Sequence, residues 1–159
     1  MMRLIRVSRC AFLIGFLMAF VGVALAQGDA MNGTWKLNTE KSKYDPGPGP
    51  KNQTLVISGT DTARKIVVDL TPATGNAVHW EVSGATGAQL PVVGTNPNAD
   101  HYVFARVNPT TFEAQYFREG KPTIKQSAVV SADGKTLTVT GTGTDAQGRT
   151  VHNVAVYDK

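Results

Sequence analysis

The chain has 159 residues, of which 42% are hydrophobic and 18% charged, and its 16 Lys and Arg against 12 Asp and Glu give a formal charge of +4. One cysteine excludes an internal disulfide framework, and the length fits one domain with a real core. The modest basic excess is not a nucleic-acid footprint, because it belongs mostly to the first few residues.

Those residues read Met1-Met2-Arg3-Leu4-Ile5-Arg6-Val7-Ser8-Arg9, and an uncharged apolar run of 17 residues follows over 10–26, ending in Ala24-Leu25-Ala26. A basic start, a short apolar run and a small-x-small end make a secretory signal peptide, cleaved before Gln27. The run is shorter than the roughly 20 residues of a transmembrane helix, and Cys10 stands at its beginning, where lipidation would not place it. Cleavage leaves residues 27–159 as a single periplasmic or secreted domain, without cysteine and without a membrane span. Loss of Arg3, Arg6 and Arg9 leaves 13 basic against 12 acidic residues, so the charge falls to +1 and no nucleic acid or anionic membrane is expected as a partner.

The mature chain reads as strands and turns. Residues 27–32 form a frayed leader, and Gly33-Thr34-Trp35-Lys36-Leu37 alternates so that Trp35 and Leu37 share the inner face. Residues 39–44 are expected to make a short helical turn, and Asp45-Pro46-Gly47-Pro48-Gly49-Pro50 an extended strap, since it can neither continue a helix nor join a sheet. Thr54-Leu55-Val56-Ile57-Ser58 and Arg64-Lys65-Ile66-Val67-Val68-Asp69-Leu70 form a hairpin, followed by a strand in which Val78, Trp80 and Val82 alternate with His79 and Glu81. Leu90-Pro91-Val92-Val93 is an apolar piece that Pro91 confines to an edge or bend, and residues 84–100 are the irregular stretch from which a barrel rim would be built. Tyr102-Val103-Phe104-Ala105-Arg106-Val107 and Phe112-Glu113-Ala114-Gln115-Tyr116-Phe117-Arg118 pair across Asn108-Pro109-Thr110-Thr111. Glu119-Gly120, Asp133-Gly134 and the turn ending in Gly148 mark the remaining hairpins. About eight to ten strands joined by turns too short for parallel crossovers imply an all-β, antiparallel up-and-down barrel, since closure removes two exposed edges. An immunoglobulin-like sandwich is the alternative.

Gly33-Thr34-Trp35-Lys36-Leu37 resembles the opening strand of the calycin group, the lipocalins and fatty-acid-binding proteins, and Val154-Ala155-Val156-Tyr157-Asp158-Lys159 resembles the closing strand of the latter. The resemblance implies a lipocalin-like barrel in which Gly33 and Trp35 form a structural plug, with Trp35 stacked by a cation from the last strand, Lys159 or Arg149. Where fatty-acid-binding proteins carry an Arg two residues before the closing Tyr to grip a carboxylate, this chain has Ala155. A Pro-Gly strap stands where that family has a helix pair. With its export signal the whole arrangement looks more like the small lipocalin-like proteins exported by bacteria.

Tyr102, Phe104, Phe112 and Tyr116 form an aromatic set on adjacent strands, and alternation points Arg106 and Arg118 to the same face. These six are the candidate ligand-binding residues: the aromatic set either packs the core or walls a ligand, and each arginine either snorkels to water from its strand end or, if that face is interior, needs a carboxylate such as Glu81 or a bound acid as partner. His79, His101 and His152 lie on three strands without ligand spacing, so no metal is expected, nor any cofactor. There is no nucleophile elbow, carboxylate pair or phosphate loop, so an enzyme is not expected. Two readings remain: a monomeric exported carrier of a small apolar molecule, or a non-enzymatic structural or protein-interaction module of the cell envelope with a packed barrel.

Overall fold

In the computed structural model residues 28–159 are described, and the expected signal segment, residues 1–26, lies outside the described residues. They form one antiparallel sheet of eleven strands with no helix: β1 (Gly33–Lys43), β2 (Asn52–Gly59), β3 (Ala63–Thr71), β4 (Val78–Ala85), β5 (Leu90–Pro91), β6 (Val93–Gly94), β7 (His101–Asn108), β8 (Thr111–Arg118), β9 (Lys121–Val130), β10 (Thr136–Thr144) and β11 (Thr150–Asp158). The spatial order β5-β7-β8-β9-β10-β11-β1-β2-β3-β4-β6 puts β1 between β2 and β11, and the sheet curls into a nearly closed barrel. This architecture is compatible with a calycin-like fold.

Alternation produces the walls: Leu55, Ile57, Val68, Trp80, Val82 and Leu137 are buried, while Lys65, Asp69 and His79 between them face out. The Glu119-Gly120 hairpin has both residues at positive φ, 51° and 74°, the twist that a two-residue turn needs. The strand count exceeds the expected eight to ten because the apolar piece around Pro91 divides in two. β5 pairs with β7 and β6 with β4, so residues 90–94 form the seam that joins the two ends of the sheet. Pro91 has no N–H to offer and sits where the pairing changes sides.

The expected helical turn over residues 39–44 is a strand instead, since β1 runs on to Lys43. Asn38 pairs with Val156 and Lys43 with Val154, so five steps along β1 face two along β11. The surplus is taken up in a bulge where Ser42 Oγ donates to the Asn38 carbonyl at 2.7 Å and accepts from Val156 N at 2.9 Å. The expected frayed leader is also ordered from Asp29 onward. Asn32 N donates to the Asp29 carbonyl at 3.0 Å, Met31 is 3% exposed, and Trp35 Nε1 donates to the Met31 carbonyl at 2.8 Å.

Two ends follow from the topology. The Trp35 end gathers the leader, the turns at 60–62 and 109–110 and the C-terminus; the strap end gathers residues 44–51, 72–77, 95–100 and 145–149. Residues 84–100 therefore do not form one rim, because they run from the Trp35 end to the strap end, and only their last part reaches the mouth. Trp35 is fully buried, with Lys159 Nζ 4.8 Å from its ring centre, so of the two cations expected to stack on it Lys159 does so. Between the ends, Trp80, Tyr102, Phe104 and Tyr116 pack ring against ring, with centroids 5.0 to 6.3 Å apart.

Candidate functional site beneath the strap

The bulge in β1 delivers Tyr44 to the mouth, and the chain then crosses it. Asp45 is tied to β11 twice, its carbonyl accepting from His152 N at 2.7 Å and its N–H donating to Asn153 Oδ1 at 3.1 Å. Lys51 N donates to the Thr71 carbonyl at 2.8 Å and fixes the other end to β3.

Under this strap lies a vestibule of about 370 Å³, rimmed by Pro48, Pro50, Pro72 and Pro97. It shares Gln53, Trp80, Tyr116, Gln126, Val139 and Tyr157 with a deeper cavity of about 80 Å³ inside the barrel. Leu55, Ile57, Val68 and Phe104 line the deeper cavity, which has the volume of two or three waters of the liquid, about 30 Å³ each. The vestibule is at the lower end of the range for small-molecule sites, roughly 300 to 1,000 Å³. The aromatic packing thus fills most of the barrel centre and leaves room chiefly at the mouth.

Of the candidate ligand-binding residues, Tyr102, Phe104 and Phe112 line the deeper cavity and Tyr116 lines both spaces. The two arginines are not brought to them in the same way. Arg106 points inward at the Trp35 end, where it pairs with Asp61, lies 3.6 Å from Asp29 and sits 5.3 Å from the Phe112 ring centre. Arg118, at the strap end, is exposed and donates to the Pro97 carbonyl. Glu81 meets neither; it pairs with Lys65 at 2.7 Å on the outer surface.

Sequence reading missed Arg64, the most buried charged side chain among the described residues at 3% exposure. Its guanidinium donates to Asp29 and to Asn32 Oδ1 at 3.0 Å, and lies 4.6 Å from the Phe112 ring centre. Alternation with Ile66 and Val68 marks it as inward; its partner Asp29 carries no such signal. Also missed were Tyr44, Gln53, Gln126 and Tyr157, which face the vestibule from the strap and from three different strands.

Most of the polar groups at the site are uncharged, with Arg149 on the vestibule wall and Arg64 and Glu113 beside the deeper cavity. All four tyrosines of the chain lie in or beside the two spaces. Burial raises the Tyr44 phenol to about 12 and the Tyr102 and Tyr157 phenols well above their ordinary value. Burial also raises Tyr116, partly offset by a hydrogen bond with Gln126. At neutral pH all four are un-ionised donors. The charged residue on the vestibule wall is Arg149, and its Nε and terminal N donate to Asp145 Oδ2 at 2.8 and 2.7 Å. Ala155, at the position of the fatty-acid clamp, is buried against the vestibule and brings no charge.

His79 pairs with Asp69 at 2.7 Å and His101 with Asp100 at 2.9 Å, while His152 is exposed. Among the described residues no three His, Cys, Asp or Glu side chains are grouped as metal ligands, and no helix is long and apolar enough to cross a membrane. No protein family matches the chain, and no curated protein matches its sequence.

Proposed function

We propose that the protein is an exported, lipocalin-like carrier that holds one small, mostly apolar molecule at the strap end of its barrel. The observation that carries this reading is the vestibule of about 370 Å³ that continues into the barrel interior, walled by prolines and aromatic rings. A pocket of this size, largely preformed and apolar with a few converging polar groups, is what a small-molecule site requires. Export rests on the N-terminal pattern of residues 1–26, and the lipocalin-like reading on the first and last strands together with the barrel.

The packed centre favours a second reading, an envelope interaction module, since a cavity of about 80 Å³ holds nothing larger than a few waters. Native mass spectrometry of protein recovered from its own cell envelope separates the two. A carrier retains a bound small-molecule mass, or takes up an apolar fluorophore with Trp80 quenched. Apo mass alone, with no fluorophore uptake, leaves the interaction module.

A further inference from the structure

The groups that reach the vestibule have one electrostatic character. Gln53 and Gln126 bring amides, and Tyr116 and Tyr157 bring phenols, to the wall that it shares with the deeper cavity. Arg149 is neutralised by Asp145, and Arg64, which borders the deeper cavity, by Asp29. Above them the Tyr44 hydroxyl is buried with no hydrogen-bond partner. A donor left unmet in this way costs about 1 to 3 kcal/mol, and native structures rarely leave one without a reason.

We propose that the vestibule selects an uncharged cyclic molecule of one or two fused rings that carries a carbonyl or similar acceptor oxygen, with Tyr44 as its donor and the Gln53 and Gln126 amides as the supporting polar wall. The proposal rests on the carrier reading and names the class of its ligand.

Charge, polarity and shape each narrow the class. An ionised carboxylate would leave water for a site where both nearby guanidinium groups already have carboxylate partners, and such a transfer is unfavourable without a free cation. A pure hydrocarbon would enter but leave the Tyr44 hydroxyl unmet. A dry cavity of about 150 Å³ accepts one benzene, so the vestibule has room for a two-ring body. Its flat surfaces are Trp80 and the four rim prolines. The Tyr44 hydroxyl is covered, and a Cβ on Gly49 would stand 2.2 Å from the Tyr44 ring, so the strap presses directly on that ring. An acceptor meets the hydroxyl by tilting the ring off Gly49 toward the vestibule.

The test uses a matched series of tetralin, 1-tetralone and 1,2,3,4-tetrahydro-1-naphthoic acid, titrated calorimetrically into protein expressed as the full chain. The ketone is expected to bind about tenfold more tightly than the hydrocarbon or the acid, the worth of one good hydrogen bond. Tyr44→Phe and Gln53→Leu should each remove about three- to tenfold of the ketone's affinity and leave tetralin unchanged. If none of the three binds, the carrier reading fails and this inference with it. If tetralin or the acid binds as well as the ketone, or both variants keep the full ketone preference, the carrier reading stands and the ligand class assigned here is wrong.

Discussion

Lys159 crosses the face of Gly33 on its way to Trp35. A Cβ on Gly33 would stand 2.5 Å from Lys159 Cε, and Gly33 has φ +143°, while Lys159 Nζ lies 4.8 Å from the Trp35 ring centre. The glycine of the Gly-x-Trp opening is the gap that admits the lysine stem, which explains why the two residues occur together. Trp35→Ala should lower stability by about 3 to 5 kcal/mol. Gly33→Ala should cost roughly 1 to 3 kcal/mol through its backbone conformation, and Lys159→Met about 0.5 to 1. Urea midpoints of the three variants should fall in that order, and a Trp35→Ala midpoint equal to wild type would remove the tryptophan from its structural role.

The ion pair between Asp29 and Arg64 is nearly as buried, with side-chain exposures of 9% and 1%. Removing the carboxylate strands a guanidinium, so Asp29→Ala should cost about 3 to 5 kcal/mol, far more than a surface pair. The double variant Asp29→Ala with Arg64→Leu should recover much of that loss, because it removes the stranded charge as well. Equal destabilisation in the single and double variants, measured by thermal unfolding, would contradict this account.

Acid should weaken the fold gradually. Three carboxyls are held below their ordinary range: Asp100 chiefly by the Glu119 backbone N–H, Asp133 by the Ser131 hydroxyl and Asp158 by the Asn38 amide. A depressed folded pKa contributes stability above the unfolded value, near 3.9, and that contribution disappears as pH falls through the lower folded value. Melting temperature should therefore be flat above about pH 5 and drop below pH 4. Asp133→Asn should make that drop shallower; an unchanged acid slope would show that the Ser131 contact is not part of it.

Tyr44→Phe should leave the fold as stable as wild type or raise its stability by about 1 kcal/mol, since it deletes a hydroxyl that has no partner. A tyrosine kept only for packing would show the same gain with no loss elsewhere. Chemical denaturation read beside the ketone titration distinguishes a binding residue from a packing one.

How far the sequence was legible depends on the range of the interaction. Period-two alternation marked the long strands, and the Glu119-Gly120 turn fixed its hairpin locally. The β1 bulge was not legible, because Asn38 and Ser42 resemble a helical turn until Val156 supplies the opposing strand. Alternation places Arg106 on the face of Tyr102 and Phe104, but its partners were not legible, since Asp29 and Asp61 belong to a leader and a turn without periodicity. The candidate site was half legible for the same reason: Tyr116 shares a pattern with its neighbours, whereas Tyr44 reaches the mouth only through the bulge.

The seam at residues 90–94 is the most sparsely paired line of the barrel wall. Elsewhere adjacent strands pair over four or more residues, but here Leu90 and Pro91 face β7 and Val93 and Gly94 face β4, two residues to each side. Local opening draws on the least connected part of a structure. The amides of Val92, Val93 and Gly94 should therefore exchange with deuterium sooner than those of β2, β3, β9 and β10. Any opening of the wall should therefore begin along this line, at the flank of the barrel and away from the strap.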